Sequence, residues 1–112
     1  MFSRDMRLRR ERDIALVLRR GRAFRTPYFT LRFLATSLKH PRVTVVVGVA
    51  TAKRATIRNR VKRQVRHILK AELSRVRVGV DLMVSVRPPM LKSAPREQKA
   101  LLHEALRRVR IN

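Results

Sequence analysis

The stretch Val43-Thr44-Val45-Val46-Val47-Gly48-Val49, followed after a short connection by Arg58-Asn59-Arg60-Val61-Lys62-Arg63, decides the fold. The first run is too rich in β-branched Val to be anything but a largely buried strand, because such side chains pack well on a pleated surface. The basic hexapeptide opens an amphipathic helix. Ile57, Val61, Val65, Ile68, Leu69 and Glu72 fall within one broad face at 100° per residue, with Leu73 drifting off its edge. On the opposite side, Asn59, Arg63, Arg66 and Lys70 recur at spacings of three or four. Flanked by Arg60 and Lys62, they make a polar ridge about three turns long.

Outward from this centre, residues 1–12 carry five Arg and little periodicity, which predicts an extended or frayed basic arm that orders on a partner. Asp13 suits a helix N-cap, Ile14, Val17 and Leu18 share a face, and Gly21 suits the stop, so a short helix spans about 13–20. From Arg22 to Leu34, Phe29, Leu31 and Phe33 alternate with Thr30, Arg32 and Leu34 as a first strand, with room for one more around residues 22–28. Val76 to Val86 reads as the third strand, regular over residues 81–86, with Gly79 as a turn or bulge and Arg87-Pro88-Pro89 as its end. Pro95 takes the first position of a last helix, Glu97 sits in its first turn, and Leu101, Leu102, Ala105, Leu106 and Val109 supply its apolar side. The order is αββαβα, in one domain over residues 1–112.

Charge narrows the partner. The 112 residues carry 29 Lys+Arg against 7 Asp+Glu, a formal net charge of +22. Such a chain repels itself and is stabilised by a polyanion that binds the folded form. Arg far outnumbers Lys, and Arg offers planar forks that grip phosphate bidentately and stack on bases, which points to RNA. No acidic residue lies between Lys39 and Lys70, so nothing along that stretch offsets the repulsion on the ridge. Cysteine is absent, which excludes a disulfide framework and fits a reducing compartment. No apolar run reaches the ~18 residues of a membrane span and the N-terminus lacks a signal-peptide core, so the expected location is the cytoplasm.

Residues that could carry chemistry are scattered. His40, His67 and His103 suggest neither a triad nor a metal centre, and the seven carboxylates form no acid–base pair. Phe29 and Phe33 share parity with Leu31 and are assigned to the core. Thr30 and Arg32, with Tyr28 by the same alternation, are then candidates for a single-stranded RNA surface.

At this point the sequence resembles the protein subunit of bacterial ribonuclease P. Arg58-Asn59-Arg60-Val61-Lys62-Arg63 fits that family's R-N-R-x-K-R box at the same place, after a valine-rich strand. Leu8 with Asp13, Ile14, Val17 and Gly21 follows the spacing of its first helix. Phe29 with Leu31, His40-Pro41-Arg42-Val43, and Asp81-Leu82-Met83-Val84 with Arg87-Pro88 resemble its strands. The resemblance implies a single-domain α+β fold: an α/β sandwich of about four strands and three helices, like the second domain of a small-subunit ribosomal protein. It also implies a left-handed βαβ crossover, where the usual rule is right-handed.

Further, it implies that an RNA subunit performs the chemistry with Mg2+ held mainly by RNA, none being bound specifically by the protein alone. The protein would bind ribonuclease P RNA and the 5′ leader of precursor tRNA, with no obligatory protein partner. The implied RNA contacts are Lys53, Arg54, Arg58, Asn59, Arg60, Lys62, Arg63, Arg66 and Lys70. A leader cleft would use Ile14, Leu18, Tyr28, Thr30 and Arg32. Two features depart from the pattern: Ile14 and Leu18 stand where the family commonly has Phe, and either Val49-Ala50 or Lys53-Arg54 occupies the place of a common Lys-Lys pair, according to whether a gap is allowed. The alternative reading is a non-catalytic structural RNA binder such as a small ribosomal protein. A third is a basic protein that compacts DNA or acts on membranes.

Overall fold

The structure, a computed structural model, describes residues 6–111. Its elements are α1 (Glu11–Arg20), β1 (Arg22–Arg25), β2 (Phe29–Ala35), β3 (Pro41–Val46), α2 (Ala55–Leu73), β4 (Val80–Val86), a 3-10 turn (Pro88–Lys92) and α3 (Pro95–Arg108). One mixed sheet has the strand order β1-β2-β4-β3. The β1–β2 and β2–β4 pairs are antiparallel, whereas β3–β4 is parallel. A parallel neighbour requires a crossover, and α2 supplies it.

Strand alternation divides the side chains between two layers. On one side, Phe29, Leu31, Val43, Val45, Leu82, Val84 and Val86 meet Val61, Val65, Leu69 and Leu73 of α2 and Leu102, Ala105 and Leu106 of α3. On the other, Met83 joins Leu8 and Val17 in a smaller cluster, with Ile14 and Leu34 packed against it. The domain is therefore the expected sandwich, with α2 and α3 on one face of the sheet and α1 on the other. Each fully buried Val or Leu contributes about 1.5–3 kcal/mol, so the four α2 side chains are its main anchor.

Several local expectations are corrected. The arm expected over residues 1–12 is docked from residue 6 on: Arg7 forms a parallel bridge with Val43, the Leu8 N–H donates to the Val43 carbonyl at 2.9 Å, and Leu8 is only 2 % exposed. Residues 1–5 lie outside the described residues. Helix α1 starts two residues early, with Arg10 at the N-cap position and no side-chain cap. Asp13 lies in its first turn instead. Gly21 ends α1 with φ −71, not in the left-handed region. Glycine is needed there because a Cβ would sit 2.4 Å from the Val17 carbonyl oxygen and 2.9 Å from that of Phe33.

The Arg22–Leu34 segment is two strands, turned by Thr26, whose hydroxyl oxygen accepts the N–H groups of Tyr28 (3.1 Å) and Phe29 (3.0 Å). This fills the further strand left open around residues 22–28 and makes the order αβββαβα. Strand β3 is an edge strand buried on alternate residues rather than throughout, and Val46 is 37 % exposed. Leu73 is core, 1 % exposed. Strand β4 begins at Val80, not Val76, because Val76 closes the turn after α2 by donating to the Leu73 carbonyl. The last helix matches expectation: Pro95 opens it, and the Glu97 carboxylate accepts the Ala94 N–H at 3.1 Å.

Candidate nucleic-acid interface

With Val61, Val65, Leu69 and Leu73 turned into the core, the opposite side of α2 must face solvent. Asn59, Arg60, Arg63, Arg66 and Lys70 are all exposed, and Lys62 is half-buried. Lys53 and Arg54 are exposed at the start of α2, Arg54 as its N-cap residue, and no acidic residue occupies the first turn. Cations at a helix N-terminus oppose the macrodipole. This end of α2 is thus electrostatically unfavourable in the free protein, and a bound anion relieves it. Val49 and Ala50 lie apart from it, exposed on the turn after β3, where the Gly48 carbonyl accepts the N–H groups of Thr51 and Ala52 at 3.1 Å each.

Arg58 behaves differently from its neighbours. It is half-buried, and its Nη1 donates to the carbonyls of Ala52 (2.9 Å) and Lys53 (2.7 Å). The first Arg of the hexapeptide therefore braces the β3–α2 connection and presents Lys53 and Arg54.

The ridge is one wall of a concavity. Asn59, Lys62, Arg63, Arg66 and His67 of α2, with Thr56 at its start, face Arg7 across a depression of about 620 Å3. A second depression, about 310 Å3, lies beyond Arg7, lined by Leu8, Arg9, Ile14, Val43 and Thr44, and it shares Arg7 and Arg66 with the first. Among the described residues, no carboxylate lines either one. Sequence reasoning passed over Arg7, Arg9, Thr44 and His67: the first two were assigned to an arm, and the others carry no local signal. The one available hint was Leu8, an apolar residue in a basic segment that needed a place to be buried.

The expected leader cleft is only partly assembled. Ile14 lines the smaller depression, packed on the Leu8, Val17 and Met83 cluster. Leu18 is 52 % exposed on α1. Thr30 and Arg32 are on the α1 side of β2, where the register sets them opposite Ser85 and Met83, but Thr30 is only 7 % exposed. Tyr28 is not beside them. It precedes β2 in the turn, where alternation no longer applies, and packs against the main core on the other face. The concavity opens along β3 rather than β2.

A charged link sets α1 over the sheet. Arg42 of β3 donates from Nε to Asp81 Oδ1 at 2.8 Å and from Nη2 to Asp81 Oδ2 at 2.7 Å, while Nη1 reaches Asp13 Oδ2 of α1 at 3.3 Å. The Asp81 hydrogen bond raises the Arg42 pKa above its ordinary value against the opposing effect of burial, with Asp13 adding to the rise. Fixed on α1 by this link, Asp13 is a partner of Arg42 and not a helix cap. Among the described residues, no group of three or more His, Asp or Glu side chains is placed to hold a metal ion, and no helix is long and apolar enough to cross a membrane.

The sequence model of the Ribonuclease P family matches residues 2–110. The chain is 30% identical to the ribonuclease P protein component of a Cyanothece species over 94% of this chain and 95% of that one. It is 35% identical to the protein component of Thermotoga maritima over 77% and 73%. Its structure superposes on the T. maritima ribonuclease P protein with a TM-score of 0.81 at 27% identity, over 91% of this chain and 96% of that one. The Staphylococcus aureus ribonuclease P protein, at 20% identity and a TM-score of 0.85, shares the fold over 95% and 96%. These relatives support the ribonuclease P reading rather than that of a ribosomal structural protein, and the chain belongs to the ribonuclease P protein component family.

Proposed function

We propose that the α2 face and the depression opposite Arg7 dock on the RNA subunit of ribonuclease P, while the groove between α1 and the sheet receives the 5′ leader of precursor tRNA. Ribonuclease P is an endoribonuclease, and this family is its accessory protein subunit. The observation that carries the reading is the concave surface of Arg7, Lys62, Arg63 and Arg66, with no carboxylate among the described residues of its walls, on a chain of net charge +22. Its chemistry is positional: guanidinium groups neutralise RNA phosphates and release counterions, and the groove extends contact along the leader, raising affinity for precursor over mature tRNA. The magnesium of the holoenzyme is assigned mainly to RNA, following the family resemblance, and no step is routed through the protein. The protein works in the cytoplasm with RNA subunit and substrate alone, needing no further protein.

Reconstitution tests this. A bacterial ribonuclease P RNA cleaves precursor tRNA at low magnesium with and without the protein, and with the Arg63→Glu/Arg66→Glu variant. Stimulation by the wild-type chain that the variant loses, with the fold intact by circular dichroism, supports the assignment. RNA binding without stimulation overturns the leader role.

A further inference from the structure

We propose that the buried Gln98 is a positioning residue for the α2 interface: it turns the side-chain amide of Gln64 so that its NH2 group leaves the α2–α3 seam and donates to a phosphate oxygen of the RNA subunit. This rests on the RNA-subunit reading above and deepens it, because Gln64 lies outside the basic ridge and Gln98, at 2 % exposure, acts without touching RNA.

Three observations carry the proposal. Gln98 Oε1 is the one buried side-chain nitrogen or oxygen among the described residues without a hydrogen-bond partner. An unpaired buried acceptor costs stability that an apolar side chain of the same length would not, so packing alone does not account for a glutamine there. Its orientation is settled by Ser93, whose carbonyl can only accept. Gln98 Nε2 donates to that carbonyl at 3.3 Å, and the reversed amide would set two oxygens against each other. The same Nε2 donates to Gln64 Oε1 at 3.4 Å. Gln64, half-buried on α2, therefore turns its oxygen into the seam and its NH2 group the other way. Among the described residues that nitrogen has no partner and, unlike Gln98 Oε1, it is open to solvent. The seam is also fastened further along, where His103 Nδ1 meets Glu72 Oε1 at 2.6 Å. Arg60, exposed one turn before Gln64, supplies a cation beside the amide. Gln64 Nε2 is thus a donor set before RNA arrives, and little side-chain freedom is lost when it binds.

The test measures the affinity of the full chain for a bacterial ribonuclease P RNA by filter binding, and melting by circular dichroism. The variants are Gln64→Met, Gln98→Met, Gln98→Leu and the double Gln64→Met/Gln98→Met, with Arg63→Glu/Arg66→Glu to test the interface itself. Gln98→Met keeps the side-chain length and removes the unpaired acceptor together with two long hydrogen bonds. Melting should therefore hold within about 4 °C, and Gln98→Leu gives a second apolar filling of the same place.

Gln64→Met should weaken binding roughly tenfold or more, as expected for an N–H donated to a phosphate. Gln98→Met and Gln98→Leu should each weaken it roughly two- to tenfold, because the freed Gln64 amide must then be ordered on binding. The double variant should lose no more than Gln64→Met alone, since Gln98 acts only through Gln64. Wild-type affinity in Gln64→Met or in both Gln98 variants, or losses that multiply in the double, overturns the positioning role and leaves the RNA-subunit reading standing. A larger fall in melting in both Gln98 variants overturns it too, by making Gln98 a residue of the fold alone. A wild-type chain that does not bind ribonuclease P RNA, or one whose Arg63→Glu/Arg66→Glu variant binds equally well, overturns both.

Discussion

Replacing Arg42 by Met should be the most damaging surface-accessible change in this domain. Residue Asp81 is 3 % exposed and receives two short bonds from Arg42, at 2.7 and 2.8 Å, whereas the third bond, to Asp13, is longer at 3.3 Å and its carboxylate is more open to solvent. Removing the cation leaves a buried carboxylate without its counter-charge, which costs about 3–5 kcal/mol. That is a large part of the 5–15 kcal/mol typical of a whole domain. At about 4 °C per kcal/mol for a chain of this size, melting should fall by roughly 12–20 °C. Urea unfolding followed by circular dichroism gives the same quantity, in a phosphate-free buffer so that no polyanion stabilises the native state. The combination Arg42→Met/Asp81→Asn removes the stranded charge and should recover at least half of the loss. Asp13→Asn should cost only about 1 kcal/mol, having removed the weaker bond and left the buried pair whole. A loss below about 1 kcal/mol for Arg42→Met, or no recovery in the double variant, would refute the view that the buried Asp81 carboxylate depends on Arg42 for its counter-charge.

Gly79→Ala should destabilise by about 2 kcal/mol or more, because its Cβ would lie 2.1 Å from the Leu38 carbonyl oxygen, whereas Gly48→Ala, with nothing within 4 Å, should be neutral or slightly stabilising in the same urea assay. Arg58→Met should lower stability by about 1–2 kcal/mol through the lost bonds to Ala52 and Lys53, in contrast to Arg60→Met, which should leave the melting temperature unchanged. RNA affinity should fall by something like 10³-fold between 50 and 200 mM salt if six or more phosphates are neutralised, and a flat salt response in a filter-binding titration would contradict counterion release. The Glu104 carboxyl is held below its usual pKa chiefly by the Arg107 hydrogen bond, so its stabilisation is present above the unfolded value of 4.5 and disappears as pH falls through the folded value. The small melting difference between wild type and Glu104→Gln should accordingly vanish in acid.

What could be read from the chain alone was what depends on side-chain direction within one element. The alternation around Phe29 and Leu31, the stripe of Val61, Val65 and Leu69, and the polar ridge opposite it follow from periods of 2 and 3.6, which are local geometry. Net charge and Arg content likewise pointed to a polyanion without any fold. The rest depended on contacts distant in sequence. Leu8 and Val43 are far apart in the chain, and only their pairing turns a basic arm into the wall of a groove. Tyr28 left its expected face because a Thr26 turn interrupts the strand period just where it was being extrapolated. Arg58 looked like its neighbours in the hexapeptide, but the folded β3–α2 connection brings two carbonyls within its reach. Asp13 suited a cap until the sheet placed Arg42 beside it. The sequence by itself determined which face of each regular element turns inward and what charge the surface carries, since the first follows from local geometry and the second from composition. Tertiary structure alone decided which cations share a concavity and which are spent bracing the fold, because that depends on which segments the hydrophobic layers bring together.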